Sequence, residues 1–320
     1  MHTLLVPDKT KLVAFSNKAT DPLVKYGILT SGISLNGEPV LFSEEAEHLG
    51  ILRTSLPGNM ANVLDRLSAH NKKLFSVLPA GLALGHHANP AACLLAERCY
   101  ALPVLLSGLA GLVLSKAEVD IVSACYKNTL QRLMKLHERT PDCVVYFLAG
   151  SLPGSALLHL RQLSLFSMIC HLRDDPLHDM AIRTNIEAKP SARSWFQDVR
   201  DLCIQYDFPH PLTLLQSPLS KLLFKNMCQE RVKEYWHSKL SQEATLPSLE
   251  FLHPEYLSLT KPHPIWRSLD GNPYQAKAAK VQALFLSGRY RTQRLSRFSS
   301  ENKDGVCLLD TRKNENIAQD

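Results

Sequence analysis

The sequence predicts a mainly α-helical protein that starts with a small antiparallel β segment. Two observations predict it. Up to about residue 55, β-favouring runs alternate with turn residues; from Pro57 onward the apolar residues recur at helical spacing. With 320 residues, 45% of them apolar, the chain has enough material for two or three packed units, and a disordered polypeptide is excluded.

In the β segment, Lys11-Leu-Val-Ala-Phe15 is a first strand. Ile33-Ser-Leu35 and Val40-Leu-Phe42 flank Asn36-Gly37, whose tolerance of positive φ suits a tight hairpin turn. His48-Leu-Gly-Ile-Leu52 is a fourth strand. Four short strands leave one face of a sheet to cover, and no helix within the segment is long enough to cover it.

In the first helical stretch, Met60, Val63, Leu64, Leu67, Leu74, Phe75 and Leu78 share a face, while Arg66, His70 and Lys73 share another. Glycines and prolines interrupt from Pro79 to Pro90. The next helix places Val119, Val122, Tyr126, Leu133 and His137 on one stripe and Arg132, Lys135 and Arg139 on a second. Helical spacing returns in 157–172 and 219–240. The connectors Asp174-Asp-Pro176, Phe208-Pro-His-Pro211 and Lys261-Pro-His-Pro264 separate these runs, and no repeat of fixed period supports a solenoid.

Charge is mildly positive, +6, which permits an anionic partner without requiring one. It is concentrated near the end: between Tyr274 and Phe298 there are six cations (Lys277, Lys280, Arg289, Arg291, Arg294, Arg297) and no acid. Residues 299–320 are polar and mixed in charge, a fraying tail. The eight cysteines lie mostly in apolar helical segments with no CxxC among them, which predicts buried, reduced thiols in an intracellular protein, nuclear or cytoplasmic. Cys125 and Cys170, at helical positions, are expected as core hydrophobes. The uncharged stretch Cys99–Ser115 is too short for a span and holds Pro103, Gly108 and Gly111, so it is a core segment and no membrane partner is expected. No P-loop, no GxSxG elbow and no partner for His86-His87 at ligand spacing is present; no cofactor and no metal are expected. Trp195, Trp236 and Trp266 are expected to anchor packing between helices.

Several of these segments, in order, carry a family resemblance. Pro7-Asp-Lys-Thr-Lys-Leu-Val-Ala-Phe15, the hairpin about Asn36-Gly37 and Glu47-His-Leu-Gly-Ile51 resemble the last palm elements of the reverse transcriptases encoded by non-LTR (LINE-type) retrotransposons. Tyr100-Ala-Leu-Pro-Val-Leu-Leu-Ser-Gly108 is similar to the post-palm stretch, Ser194-Trp195 and Tyr235-Trp236 to later tryptophan positions, and Leu286-Ser-Gly-Arg-Tyr-Arg-Thr292 to the segment before the terminal zinc knuckle. The resemblance implies a β-rich palm remnant (1–55), a thumb-like helical domain (56–140) and a helical carboxyl-terminal region (141–260), to which composition adds a basic segment (261–298) and a flexible tail (299–320). It implies a nucleotide-side role for Lys9 and a primer grip at His48, Leu49, Gly50 and Ile51. A solvated lysine and a sheet-core Leu-Gly are the competing readings of these positions.

Two departures bear on activity. Polymerisation by two metal ions needs strand-mounted carboxylates, and the family's aspartate pair lies upstream of the Lys-Thr element, which here follows Met1 by a few residues. The only adjacent pair, Asp174-Asp175, reads as the end of a helix. Cys307 is followed by Leu-Leu-Asp310 where the knuckle's second cysteine belongs, so no zinc site is expected. The sequence expectation is therefore an RNA-directed DNA polymerase fragment, not an enzyme by itself, that binds RNA or an RNA–DNA hybrid through Lys9, Arg66, Lys73, Arg132, Lys135, Arg139, Arg289, Arg291, Arg294 and Arg297. The alternative is a helical protein-interaction scaffold, its partners unspecified, or a relic without function.

Overall fold

The computed structural model describes the backbone of six short strands (residues 11–12, 34–35, 38–39, 41–42, 45–48 and 51–54) and residues 58–77, 89–172, 175–187, 193–245, 249, 251–253, 256–267 and 273–288. The protein is mainly helical. Two compact units emerge: one from residues 1–83, 92–129 and 152–238, the other from 84–91, 130–151 and 239–320. The division runs through the expected 56–140 and 141–260 segments rather than between them.

The strands are β1 (Lys11–Leu12), β2 (Ser34–Leu35), β3 (Glu38–Pro39), β4 (Leu41–Phe42), β5 (Glu45–His48) and β6 (Ile51–Thr54). Leu35 pairs with Glu38 across the Asn36-Gly37 position, the two-residue hairpin that dipeptide predicts. The expected partner, Val40–Phe42, is displaced: Glu38–Pro39 lies opposite β2, and β4 pairs instead with β1, in parallel. The fourth strand is corrected too: β5 and β6 form an antiparallel pair with His48 opposite Ile51, so His48 and Ile51-Leu52 belong to two paired strands rather than to one.

In the first unit, β6 is read by a side chain. Asn62, buried in helix α1 (Met60–Val77), accepts from the Leu52 N–H at 2.7 Å and donates to the Leu52 carbonyl at 2.8 Å, pairing with the β6 backbone as a strand neighbour would. The helix α2 (Pro90–Ala96) widens into a π turn (Glu97–Ala101) and resumes as α3 (Leu102–Leu105). Pro103 explains the widening: it has no N–H for the carbonyl four residues back and its ring crowds that carbonyl, so the turn before it opens. Gly108, at φ 75°, then reverses the chain against the side chain of Ile51.

Helix α4 (Lys116–Met134) starts with a reciprocal box in which the Ser115 hydroxyl accepts from the Glu118 N–H while the Glu118 carboxylate accepts from the Ser115 N–H and hydroxyl. Helices α6 (Gly154–Cys170), α7 (Pro176–Glu187), α8 (Trp195–Gln205), α9 (Pro211–Gln216) and the first five turns of α10 (Lys221–Glu243) enclose a core of Leu163, Phe166, Val199, Leu215, Phe224 and Val232. Asp175 caps α7, accepting from the Leu177 N–H at 2.8 Å; it begins that helix where the sequence reading had it ending the previous one, because Pro176 fits the first helical position. Asp174 and His86-His87 lie outside the described residues. Trp195 and Trp236 anchor packing as expected, donating to the Ala110 carbonyl and the Tyr206 hydroxyl.

The second unit is built around α5 (Asp142–Ala149), whose residues from Cys143 to Ala149 are all buried, together with α11 (Pro264–Arg267) and α12 (Pro273–Leu286). Trp266 and the α12 alanines Ala276, Ala279 and Ala283 complete its interior, and the His263 N–H donates to the Leu148 carbonyl at 3.1 Å.

Candidate nucleic-acid interface

Lys9, Leu49, Gly50, Arg289, Arg291, Arg294 and Arg297 lie outside the described residues, and of His48 only the strand backbone is described. Ile51 is half-buried in β6. Arg66 is half-buried on α1 and ion-paired to its neighbour Asp65, while Lys73 is exposed two turns on. His70, expected on the same face, is fully buried instead, and Met60, Leu64 and Phe75, expected in the core, are exposed. The helix is thus rotated from its hydrophobic pattern so that Asn62, Val63, His70 and Leu74 point inward, because Asn62 must reach β6 and His70 has a buried partner.

Arg132, Lys135 and Arg139 are all exposed, but they do not form a helical stripe. Helix α4 stops at Met134, and Lys135 takes the left-handed φ of 57°. The Leu136 N–H returns to the Gln131 carbonyl at 2.9 Å, and the Gln131 amide holds the Glu138 carbonyl at 3.0 Å, so the chain closes a C-terminal cap where the pattern predicted another turn of helix. Arg139 sits in the turn that follows. Lys277 is exposed on α12.

A second set of cations escaped the sequence reading. Arg161 on α6 and Lys221 and Lys225 on α10 border a groove of about 410 Å³ floored by Leu102, Leu106, Leu157, Leu160, Phe224 and Cys228. No acidic residue lines it, and none of the three cations has an ion-pair partner among the described residues. The i, i+4 spacing of Lys221 and Lys225 was the available clue; Arg161, the lone cation of an apolar helix, gave none.

Close to α1 lies a cluster of a different chemistry. His70 Nδ1 is 4.0 Å from Cys125 Sγ on α4, and His70 Nε2 is 3.6 Å from a Glu97 carboxylate oxygen in the π turn. His70 and Glu97 are buried, and Cys125 is half-buried. Burial alone would lower the His70 imidazole, but Cys125 and Glu97 outweigh it and hold it up to about 9. Burial pushes the Glu97 carboxyl up, against the pull of His70 and Arg98. No group of three or more His, Cys, Asp or Glu side chains among the described residues is disposed to hold a metal ion. No described helix is long and apolar enough by itself to cross a membrane.

Comparison with family models, with curated proteins and with solved structures finds no match for this chain.

Proposed function

We propose that the chain is a reverse transcriptase-derived, non-catalytic module that holds RNA or an RNA–DNA hybrid without sequence preference. The observation that carries the reading is the groove bordered by Arg161, Lys221 and Lys225. Three cations without counter-charges along an apolar floor suit a phosphate backbone whose bases or sugars rest on that floor. The order of the family-like segments over residues 7–292 supports the same reading, as does the packing of Gly108, from the post-palm-like stretch, against Ile51, from the Leu-Gly segment. The residues that carry the resemblance do not include the family's aspartate pair, so binding is proposed without polymerisation.

The test is binding of the full chain to a labelled RNA–DNA hybrid across a salt series, with magnesium present and primer extension followed in the same tubes. Replacing Arg161, Lys221 and Lys225 together by Ala should weaken binding and reduce the salt slope by roughly 2 to 3. Replacing Arg289, Arg291, Arg294 and Arg297 by Ala should reduce it further. Affinity unchanged in both variants, or salt-insensitive binding in the wild type, overturns the interface; extension overturns the non-catalytic assignment.

A further inference from the structure

We propose that Cys125 is a peroxide-reactive thiol, activated by His70 and positioned through Glu97, in a site that takes small hydroperoxides. The inference is independent of nucleic-acid binding. Three separate segments supply the set: α1 carries His70, the π turn carries Glu97 and α4 carries Cys125. The order sulfur, Nδ1, Nε2, carboxylate is that of a nucleophile, its base and the group that orients the base. The orienting end is committed to this arrangement, since neither His70 Nε2 nor the facing Glu97 oxygen has a hydrogen-bond partner among the described residues and both are buried. A π turn is the common device by which a helix presents one side chain out of its regular sequence, and Glu97 opens this one.

The other described cysteines lack the arrangement. Burial pushes Cys143, Cys170, Cys203 and Cys228 up to about 12, which keeps them as inert thiols. Cys99 is exposed and has no histidine partner among the described residues. Among the described residues only Cys125, itself half-buried, has its sulfur facing an imidazole, and a half-buried residue favours a small electrophile over a bulky one. The charged groups around the imidazole are the Cys125 sulfur on one side and Glu97, with Arg98 beyond it, on the other.

The step balances. A thiolate lone pair on Cys125 attacks one peroxide oxygen, the S–O bond forms as the O–O bond breaks, and the departing hydroxide or alkoxide takes a proton from the His70 imidazolium. Sulfur is oxidised by two electrons, the peroxide is reduced to water or alcohol, and Cys125 is left as the sulfenic acid. A soluble thiol then condenses with the sulfenic acid, releasing water and giving a mixed disulfide.

Cys99 is the internal reference for the test. The full-length protein is exposed briefly to limiting hydrogen peroxide at pH 6, then unfolded in the presence of dimedone as the sulfenic-acid trap, and the adduct at each cysteine is counted by peptide mass spectrometry. Cys125 should be trapped about tenfold faster than Cys99. His70→Gln should remove that advantage. Glu97→Gln should keep most of it at pH 6 and lose it at pH 8, because the imidazole without its carboxylate releases its proton earlier; a merely structural role for Glu97 would leave the ratio independent of pH. Continued absence of adduct at Cys143 and Cys203 reports that each variant is folded. A wild-type Cys125 trapped no faster than Cys99 overturns the proposal whatever the variants do.

Discussion

Gly150 closes helix α5 in the left-handed conformation, φ 61°, with its α-carbon pressed against the backbone of Lys261, so that a β-carbon there would fall on the Lys261 carbonyl and the Pro262 nitrogen. Both penalties act together: a positive φ costs an L residue about 1 kcal/mol or more, and backbone cannot swing aside as a flexible side chain can. Gly150→Ala should therefore cost roughly 3 kcal/mol, visible as a lowered denaturation midpoint. Gly111→Ala is the control, since a β-carbon at Gly111 meets only Leu165 at an ordinary 3.9 Å. Equal midpoints for the two variants would refute the close approach.

The Tyr206 hydroxyl sits between two rings, accepting from Trp236 Nε1 at 3.0 Å and lying 2.7 Å from His159 Nδ1. Having accepted from the indole, the hydroxyl has its own proton to give to Nδ1, which makes His159 a neutral acceptor. Burial holds the His159 imidazole down to about 4, in agreement. Tyr206→Phe strands the indole N–H and the imidazole nitrogen at once and should cost about 2–3 kcal/mol in chemical denaturation, whereas a loss under about 0.5 kcal/mol would mean the network is unimportant.

Two histidines should give the stability curve opposite limbs. Between pH 6.5 and about 4 the unfolded chain binds a proton at His159 that the folded chain refuses, so stability is lost as pH falls through that window. Between pH 6.5 and about 9 the folded chain holds a proton at His70 that the unfolded chain has released, so stability is lost as pH rises. Urea midpoints measured from pH 4.5 to 9 should peak near 6.5. His159→Gln should flatten the acid limb and His70→Gln the alkaline one; the reverse pairing would refute both assignments.

Glu118 adds to the acid limb at lower pH. Burial alone would raise its carboxyl, but hydrogen bonds from Ser115 and the Asn59 N–H outweigh burial and hold it below the ordinary carboxylate range, so its contribution is present at neutral pH and lost on acidification. Glu118→Gln should lower the midpoint at pH 7 by more than at pH 4, and an equal drop at both would show that its charge is irrelevant.

What was legible in the sequence was mostly local. The antiparallel pairing of Leu35 with Glu38 on either side of Asn36-Gly37, the helical character after Pro57 and the anchoring roles of Trp195 and Trp236 follow from residue type and spacing, which act over a few residues. What was not legible depended on partners far along the chain. The inward rotation of α1 is set by Leu52 and Glu97, which no periodicity within α1 records. The end of α4 is set by a glutamine reaching forward to the 138 carbonyl, and a regular stripe of cations was the natural but mistaken extrapolation. Cys125 read as a core thiol because its imidazole neighbour is 55 residues away.

The π turn has a further consequence, for how its helix is read. Cys93, Glu97, Ala101 and Leu105 are all buried, each four positions after the last. On a regular helix a step of four overshoots a full turn by about 40°, so three such steps would carry the line a third of the way around the cylinder. The slacker winding of residues 97–101 takes back part of that drift and keeps all four side chains on the buried side. A heptad rule applied across this segment slips out of phase at Glu97, and deleting a single residue there would restore regular geometry while turning every inward-facing position downstream toward another side.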